Sequence, residues 1–189
     1  QKKKLQQLVN FEETKVEMCI NSCLAFTEEF IVKFVLRIQY ADPTRAIQLR
    51  CRANYKQDNE TIRDIYDGKL YKEILEEGLL SDDCDIVFSA SLDGYQIFEQ
   101  QHDDCWVILM INNNLSPEIR VKKENLLVIA IIPGPKQPKI FNTFMRPLIN
   151  ELKQLEEGML CWNAVTNENF TLHAHVIFWF GDIPAISKL

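Results

Sequence analysis

The chain has 189 residues, 21 basic and 27 acidic, and a net charge of −6, which fits one globular domain with some extra length. No run of about eighteen apolar residues occurs, which argues against a spanning helix. The opening QKKKLQQLVNFEE has neither an apolar core nor a small-residue cleavage site, which excludes a secretory signal. Residues 1–80 carry 13 basic and 13 acidic side chains, and residues 81–189 carry 8 and 14. The negative charge therefore lies in the second half, and no basic stripe is visible of the kind that grips DNA phosphates unaided. Six cysteines, at 19, 23, 51, 84, 105 and 161, form no dense framework and read as reduced thiols of an intracellular protein. The chain opens on Gln1 without an initiator Met and is read as a fragment.

Taken in order, residues 1–80 read as a helical and irregular segment. CLAFTEEFIVKFVLRIQY permits a strand or a buried helix. DPTRAIQLRCRANY predicts a helix with Asp42 as N-cap and Pro43 at the first position. NETIRDIYDGKLYKEILEEG predicts a helix capped by Asn59, broken near Gly68 and stopped at Gly78. From residue 81 the pattern changes. DIVFSASLD alternates, with Ile86, Phe88, Ala90 and Leu92 on one face and Val87, Ser89, Ser91 and Asp93 on the other. CWVILMIN and NLLVIAII read as strands buried on both faces, joined by a short helical turn at Ser116–Pro117 and halted by PGPKQP. Residues 141–157 predict a helix with a stripe of Phe144, Leu148, Ile149, Leu152 and Leu155, ended by Gly158. MLCWNAV and FTLHAHVIFWF follow as a hairpin whose second strand is long. We read residues 81–189 as α/β: a three-stranded meander, a crossover helix and a further strand parallel to the first, preceded by the helical segment.

Two acids stand out. Asp93 and Asp182 each follow an apolar strand and each is next to a glycine. A right-handed crossover from the meander sets the last strand parallel to the first, which brings both carboxylates to one edge, about 5 Å apart. Such a pair repels unless a divalent cation sits between, the arrangement of metal-assisted phosphoryl transfer. The plainer reading is that Asp-Gly and Asp-Ile-Pro are turn sequences. Both remain open on pattern alone.

IRDIYDGKLYKEIL, LDGYQIF, NNLSPEIRVKKENLLVIAIIPGPKQPK, FMRPLINELKQLEEG and FTLHAHVIFWFGDIPAISKL follow one another over residues 61–189. In this order they resemble the transposases of CACTA (En/Spm-like) DNA transposons. CINSCLAF is similar to the start of that family's cysteine-rich segment. The resemblance implies an RNase H-like fold with a DDE/D triad, in which Asp93 matches the first acid and Asp182 the second. It also implies Mg²⁺ or Mn²⁺ as cofactor, transposon-end DNA as partner, and nuclear localisation for a functional member. The family's third acid and a Cys/His-containing block lie beyond the GDIPA sequence and have no counterpart up to Leu189. Residues 28–40 do not resemble the family, and Cys19 and Cys23 lack a CxxC partner. The expectation is a core truncated within the catalytic fold, binding metal weakly and with little or no activity, because cooperating catalytic residues fail together. The alternative is a non-catalytic, transposon-derived protein that binds a protein partner through an open sheet edge, with no membrane association.

Other candidates are less specific. His173 and His175 alternate along one predicted strand, as a metal pair or as packing residues. Cys19 and Cys23, spaced i, i+4, form a zinc half-site or free thiols. Cys105 beside His102 and Asp103 permits a nucleophile, although triads are usually assembled from distant segments. Lys122 and Lys123 suit a DNA backbone or a solvated loop. Trp106, Trp162 and Trp179 fall in apolar strand patterns and read as core or edge packing.

Overall fold

The computed structural model describes residues 31–58, 60–96, 104–133 and 142–181. Cys19, Cys23, Asn59, His102, Asp103 and Asp182 lie outside the described residues. The ambiguous apolar stretch is a helix, α1 (Ile31–Ala41), because Val32, Leu36 and Tyr40 recur every four residues and all three are buried. In α2 (Pro43–Gln48) the start is the predicted one: the Asp42 carboxylate accepts the N–H groups of Thr44 and Arg45 at 2.7 and 3.1 Å, and Pro43 opens the helix.

The next segment departs from expectation. Residues 60–64 are not helical; a single 3₁₀ turn at Ile65–Asp67 is capped by Asp64, and α3 (Lys69–Glu76) starts only after Gly68. The cause is Asp67. Its carboxylate accepts the Tyr55 hydroxyl at 2.6 Å and the N–H groups of Asp58, Arg63 and Asp64 at 2.8, 2.9 and 3.3 Å. A side chain that gathers this many backbone donors outcompetes the helix for them. The same donors, the Asp58 N–H foremost and then the Tyr55 hydroxyl, hold Asp67 well below the usual carboxylate range.

The remaining elements are β1 (Ile86–Gln96), β2 (Asp104–Asn112), α4 (Pro117–Arg120), β3 (Leu126–Pro133), α5 (Asn142–Glu157), β4 (Met159–Asn163), β5 (Glu168–Leu172) and β6 (Ala174–Phe180). Strands β1, β2 and β3 form an antiparallel meander, and β6 lies parallel to β1, so the order is β3-β2-β1-β6. The fold is α/β with a mixed four-stranded sheet and one parallel pair.

The single long strand predicted for Phe170–Phe180 is two strands. β5 pairs with β4 in a separate two-stranded sheet, and β6 joins the main sheet. The break falls at His173, whose N–H and Nδ1 both meet Asp85 Oδ1, at 3.1 and 3.0 Å, while its carbonyl accepts the Ile86 N–H at 2.8 Å. Buried Asp85 thus holds the chain where it passes from one sheet to the other.

One face of the main sheet carries the larger core. Ile86, Phe88, Ala90 and Leu92 are fully buried there with Ile108 and Met110, beneath α1 and α5. In α5 the buried stripe is Met145, Leu148 and Leu155; Phe144 and Ile149 are exposed, contrary to the predicted stripe. The helix is turned toward Glu151, a buried acid whose Oε1 accepts the Lys33 N–H at 2.8 Å at the start of α1. Burial raises the Glu151 carboxyl to about 7. Gly158 ends the helix at φ 104°, and a Cβ there would stand 2.7 Å from Thr171 Cγ2 and 2.9 Å from His173 Nε2. The opposite face is covered over its first part by a smaller cluster of Tyr66, Tyr71 and Leu80 around Val87, with Ile177 packed against it.

Candidate functional site

The residues facing away from the larger core along β1 are Val87, Ser89, Ser91 and Asp93. The first two are buried, Ser91 is half-buried and Asp93 is exposed. Burial fades along the strand because the smaller cluster ends near Val87. Ser89 remains dry and satisfied, its hydroxyl accepting the side-chain amide of Asn113 at 2.7 Å. Asp93 does not stop β1, as the turn reading expects. The strand runs on through Gln96, with Asp93 opposite Val107 and Gly94 opposite Trp106. Asp93 is therefore presented from within a paired strand, and among the described residues its side chain makes no hydrogen bond or ion pair. An exposed carboxylate with no ion-pair partner among the described residues is a suitable donor for a hard divalent ion.

The neighbouring strand reaches the same region through an irregularity. β6 begins with Val87 opposite His175 and Phe88 opposite Val176, then shifts by one residue so that Ser89 pairs with Phe178 and Ser91 with Phe180. Ile177 is the extra residue, a bulge of the kind that re-aims the side chains after it. Because side chains alternate along a strand, this residue moves Phe178 and Phe180 onto the Asp93 face. A regular strand would have sent them into the larger core. Trp179, between them, packs against that core instead. The Phe178 and Phe180 rings are stacked, 6.0 Å between centroids and 20° between planes, and Phe180 is 48% exposed. Asp182 itself is outside the described residues. Phe180 is the last paired residue of β6, and Asp182 follows it by two positions just as Asp93 follows Ser91.

The other candidates fall elsewhere. His173 is not in the same strand as His175; it occupies the junction ahead of β6, bonded to Asp85. His175 faces the smaller cluster's side of the sheet, opposite Val87. Burial lowers its imidazole, and its Nε2 is buried with no partner among the described residues. Cys105 is buried at the start of β2. Lys122 and Lys123 are exposed in the β2–β3 connection. Trp106 and Trp179 pack against the larger core, while Trp162 is 45% exposed on the hairpin. Among the described residues no group of three or more His, Cys, Asp or Glu side chains is placed to hold a metal ion. No helix among them is long and apolar enough to cross a membrane. Sequence pattern did not flag Asp85, Ile177 or Phe180. Asp85 precedes its strand by one residue and resembles a loop acid, and the bulge leaves no mark in an unbroken apolar run.

The blocks that frame Asp93, from IRDIYDG through IPGPK to GDIPA, thus span the 3₁₀ turn, the meander and the parallel pair. No curated protein and no solved structure matches the chain. The family described as "Transposase family tnp2" matches residues 59–189, more than two thirds of its length. These residues include all six strands and the crossover helix that brings β6 beside β1, and on this match the chain belongs to the transposase family tnp2.

Proposed function

We propose that residues 81–189 are part of an RNase H-like catalytic core of a CACTA (En/Spm-like) transposase, with Asp93 and Asp182 as two members of its DDE/D set. The observation that carries this reading is the parallel β1–β6 register after the bulge, Ser91 opposite Phe180. Continued two residues in each strand, that register would set Asp93 opposite Asp182 and on one face. Without the one-residue shift, position 182 would fall on the other face from Asp93.

On this reading the two carboxylates hold Mg²⁺ or Mn²⁺, and transposon-end DNA is the substrate. A bound ion would supply charge stabilisation at the reacting phosphate and lower the pKa of a coordinated water. On this reading the chain's own part is to present two oxygen donors, Asp93 from within β1 and Asp182 from the sequence that follows β6, and to leave Asp93 exposed. The hydroxyl that attacks is a water or a DNA 3′-OH. Two acids alone hold a divalent ion loosely, so the isolated 189-residue chain is expected to cut and join DNA poorly. A functional protein of this kind works in the nucleus.

Calorimetric titration with Mn²⁺ tests the assignment. Asp93→Ala and Asp182→Ala should each weaken the ion's binding; unchanged affinity in both variants would remove the basis for a metal site. The second reading is a non-catalytic protein that takes a partner's strand at the sheet edge. It is favoured by β3, an edge strand of LLVIAIIP that carries no charge and exposes Ile131. Backbone amides of β3 that gain hydrogen-exchange protection only in a complex would support it.

A further inference from the structure

The four strands of the main sheet contain no Lys or Arg. The face on which Asp93 stands therefore offers DNA no side-chain cation from the sheet itself. Val87, His175 and Ile177 lie on the part of this face beside the smaller cluster, and beyond them its described side chains along β1 and β6 are two hydroxyls, Ser89 and Ser91, and two aromatic rings, Phe178 and Phe180. Phe180 is exposed at 48% although every other residue of β6 is buried or half-buried. Phe178 lies alongside it in a near-parallel pair, and almost half of the Phe180 surface is exposed. The ring is also close to the acid. Phe180 pairs with Ser91, one residue pair short of Asp93 on the same face, and strand geometry sets the Cα atoms of Phe180 and Asp93 about 8 Å apart.

We propose that Phe180 is a stacking platform for an unpaired nucleobase, so that the Asp93 site takes DNA as a locally single-stranded segment rather than as an intact duplex. This rests on the reading of Asp93 as a DNA-processing residue and names the form of its substrate. Stacking is a contact this face can offer without Lys or Arg in its strands, and it accepts any base, each having a π-face. A base inside a duplex is already stacked on both sides and cannot lie against the ring. An unpaired base can, and its phosphate would then be within reach of an ion held at Asp93.

The test compares two oligonucleotides of equal length in EDTA by fluorescence anisotropy: a single-stranded oligothymidylate and its abasic counterpart, which keeps the phosphates and lacks the bases. The wild-type 189-residue chain should prefer the base-containing strand by about tenfold, the range of one aromatic stack. Phe180→Ala and Phe180→Leu should abolish the preference, and Phe180→Trp should preserve it. Phe180→Leu keeps the apolar contact and guards against a variant that does not fold. Asp93→Ala should leave the preference intact while losing Mn²⁺ binding, so failure of the metal site and failure of the platform give different results. The proposal is overturned if the wild type shows no preference, or if Phe180→Leu retains it. It is also overturned if sedimentation shows Phe180 buried between two copies, with the dimer lost in Phe180→Leu.

Discussion

Ser91 of β1 and Phe180 of β6 are partners across the one parallel pairing of the main sheet, one residue out of step with the Val87–His175 pair that begins it. On the proposed function, in which this register runs on past Phe180, the parity of the residues after Phe180 decides whether Asp182 shares a face with Asp93. On that proposal, deleting Gly181 would invert the parity for Asp182 while leaving all of β6 in place. The expected outcome is loss of Mn²⁺ affinity comparable to Asp182→Ala, with an unchanged melting transition, measured by calorimetry on the same samples.

Glu151 links α5 to the start of α1 by accepting the Lys33 N–H, and Gln154 one turn on accepts the Lys33 ammonium. Burial raises its carboxyl to about 7 in the folded chain, above its value when unfolded. A raised carboxyl favours the protonated fold, so this contribution is full below about pH 4 and is lost as pH rises through about 7. The wild type should lose stability between pH 5 and pH 8 by on the order of 2–3 kcal/mol more than Glu151→Gln, which keeps an acceptor but cannot ionise. Urea denaturation at both pH values measures the difference.

Gly158 and Gly78 both have positive φ, 104° and 77°, but differ in surroundings. A Cβ at Gly78 meets nothing within 4 Å, whereas one at Gly158 meets Thr171 and His173. Gly78→Ala should cost about 1 kcal/mol, the backbone term alone. Gly158→Ala should cost about 3 kcal/mol, because the hairpin and the His173 junction must also shift. Paired chemical denaturation curves distinguish the two.

Asp85 gathers the His173 N–H, the His173 ring nitrogen and the Asp82 N–H in a fully buried position. Asp85→Ala strands these groups and should destabilise the fold by about 3 kcal/mol. Because the Ile86 N–H bonds the His173 carbonyl at the same point, its hydrogen-exchange protection should fall further than that of amides in the β1–β2 ladder.

Much of the architecture was legible in local pattern. The alternation of Ile86, Phe88, Ala90 and Leu92, the Asp42–Pro43 helix start and the Gly158 stop each express one dominant local preference, and each stands as expected. The misses occur where a distant partner decides. Asp67 collects four donors and unwinds the helix predicted from residue 59. Asp85 divides a continuous apolar run at His173 from 88 residues away. Glu151 turns α5 so that Met145 faces inward and Phe144 outward. Of the candidate site, the exposure of Asp93 on the face away from Ile86, Phe88, Ala90 and Leu92 followed from the alternation, but its continuation in a paired strand did not. The Ile177 bulge depends on how two strands meet, which no single segment records.

The β1–β6 pairing has a kinetic consequence. The meander joins segments close in sequence, but residues 86–91 meet residues 174–180 only after the whole intervening chain has been drawn together. Closing so long a loop has an entropic cost before any contact repays it. During refolding, the edge that carries Asp93 should therefore gain its neighbour last. On gradual denaturation it should be among the first parts of the sheet to come apart, so β6 should separate from β1 while the first three strands still hold.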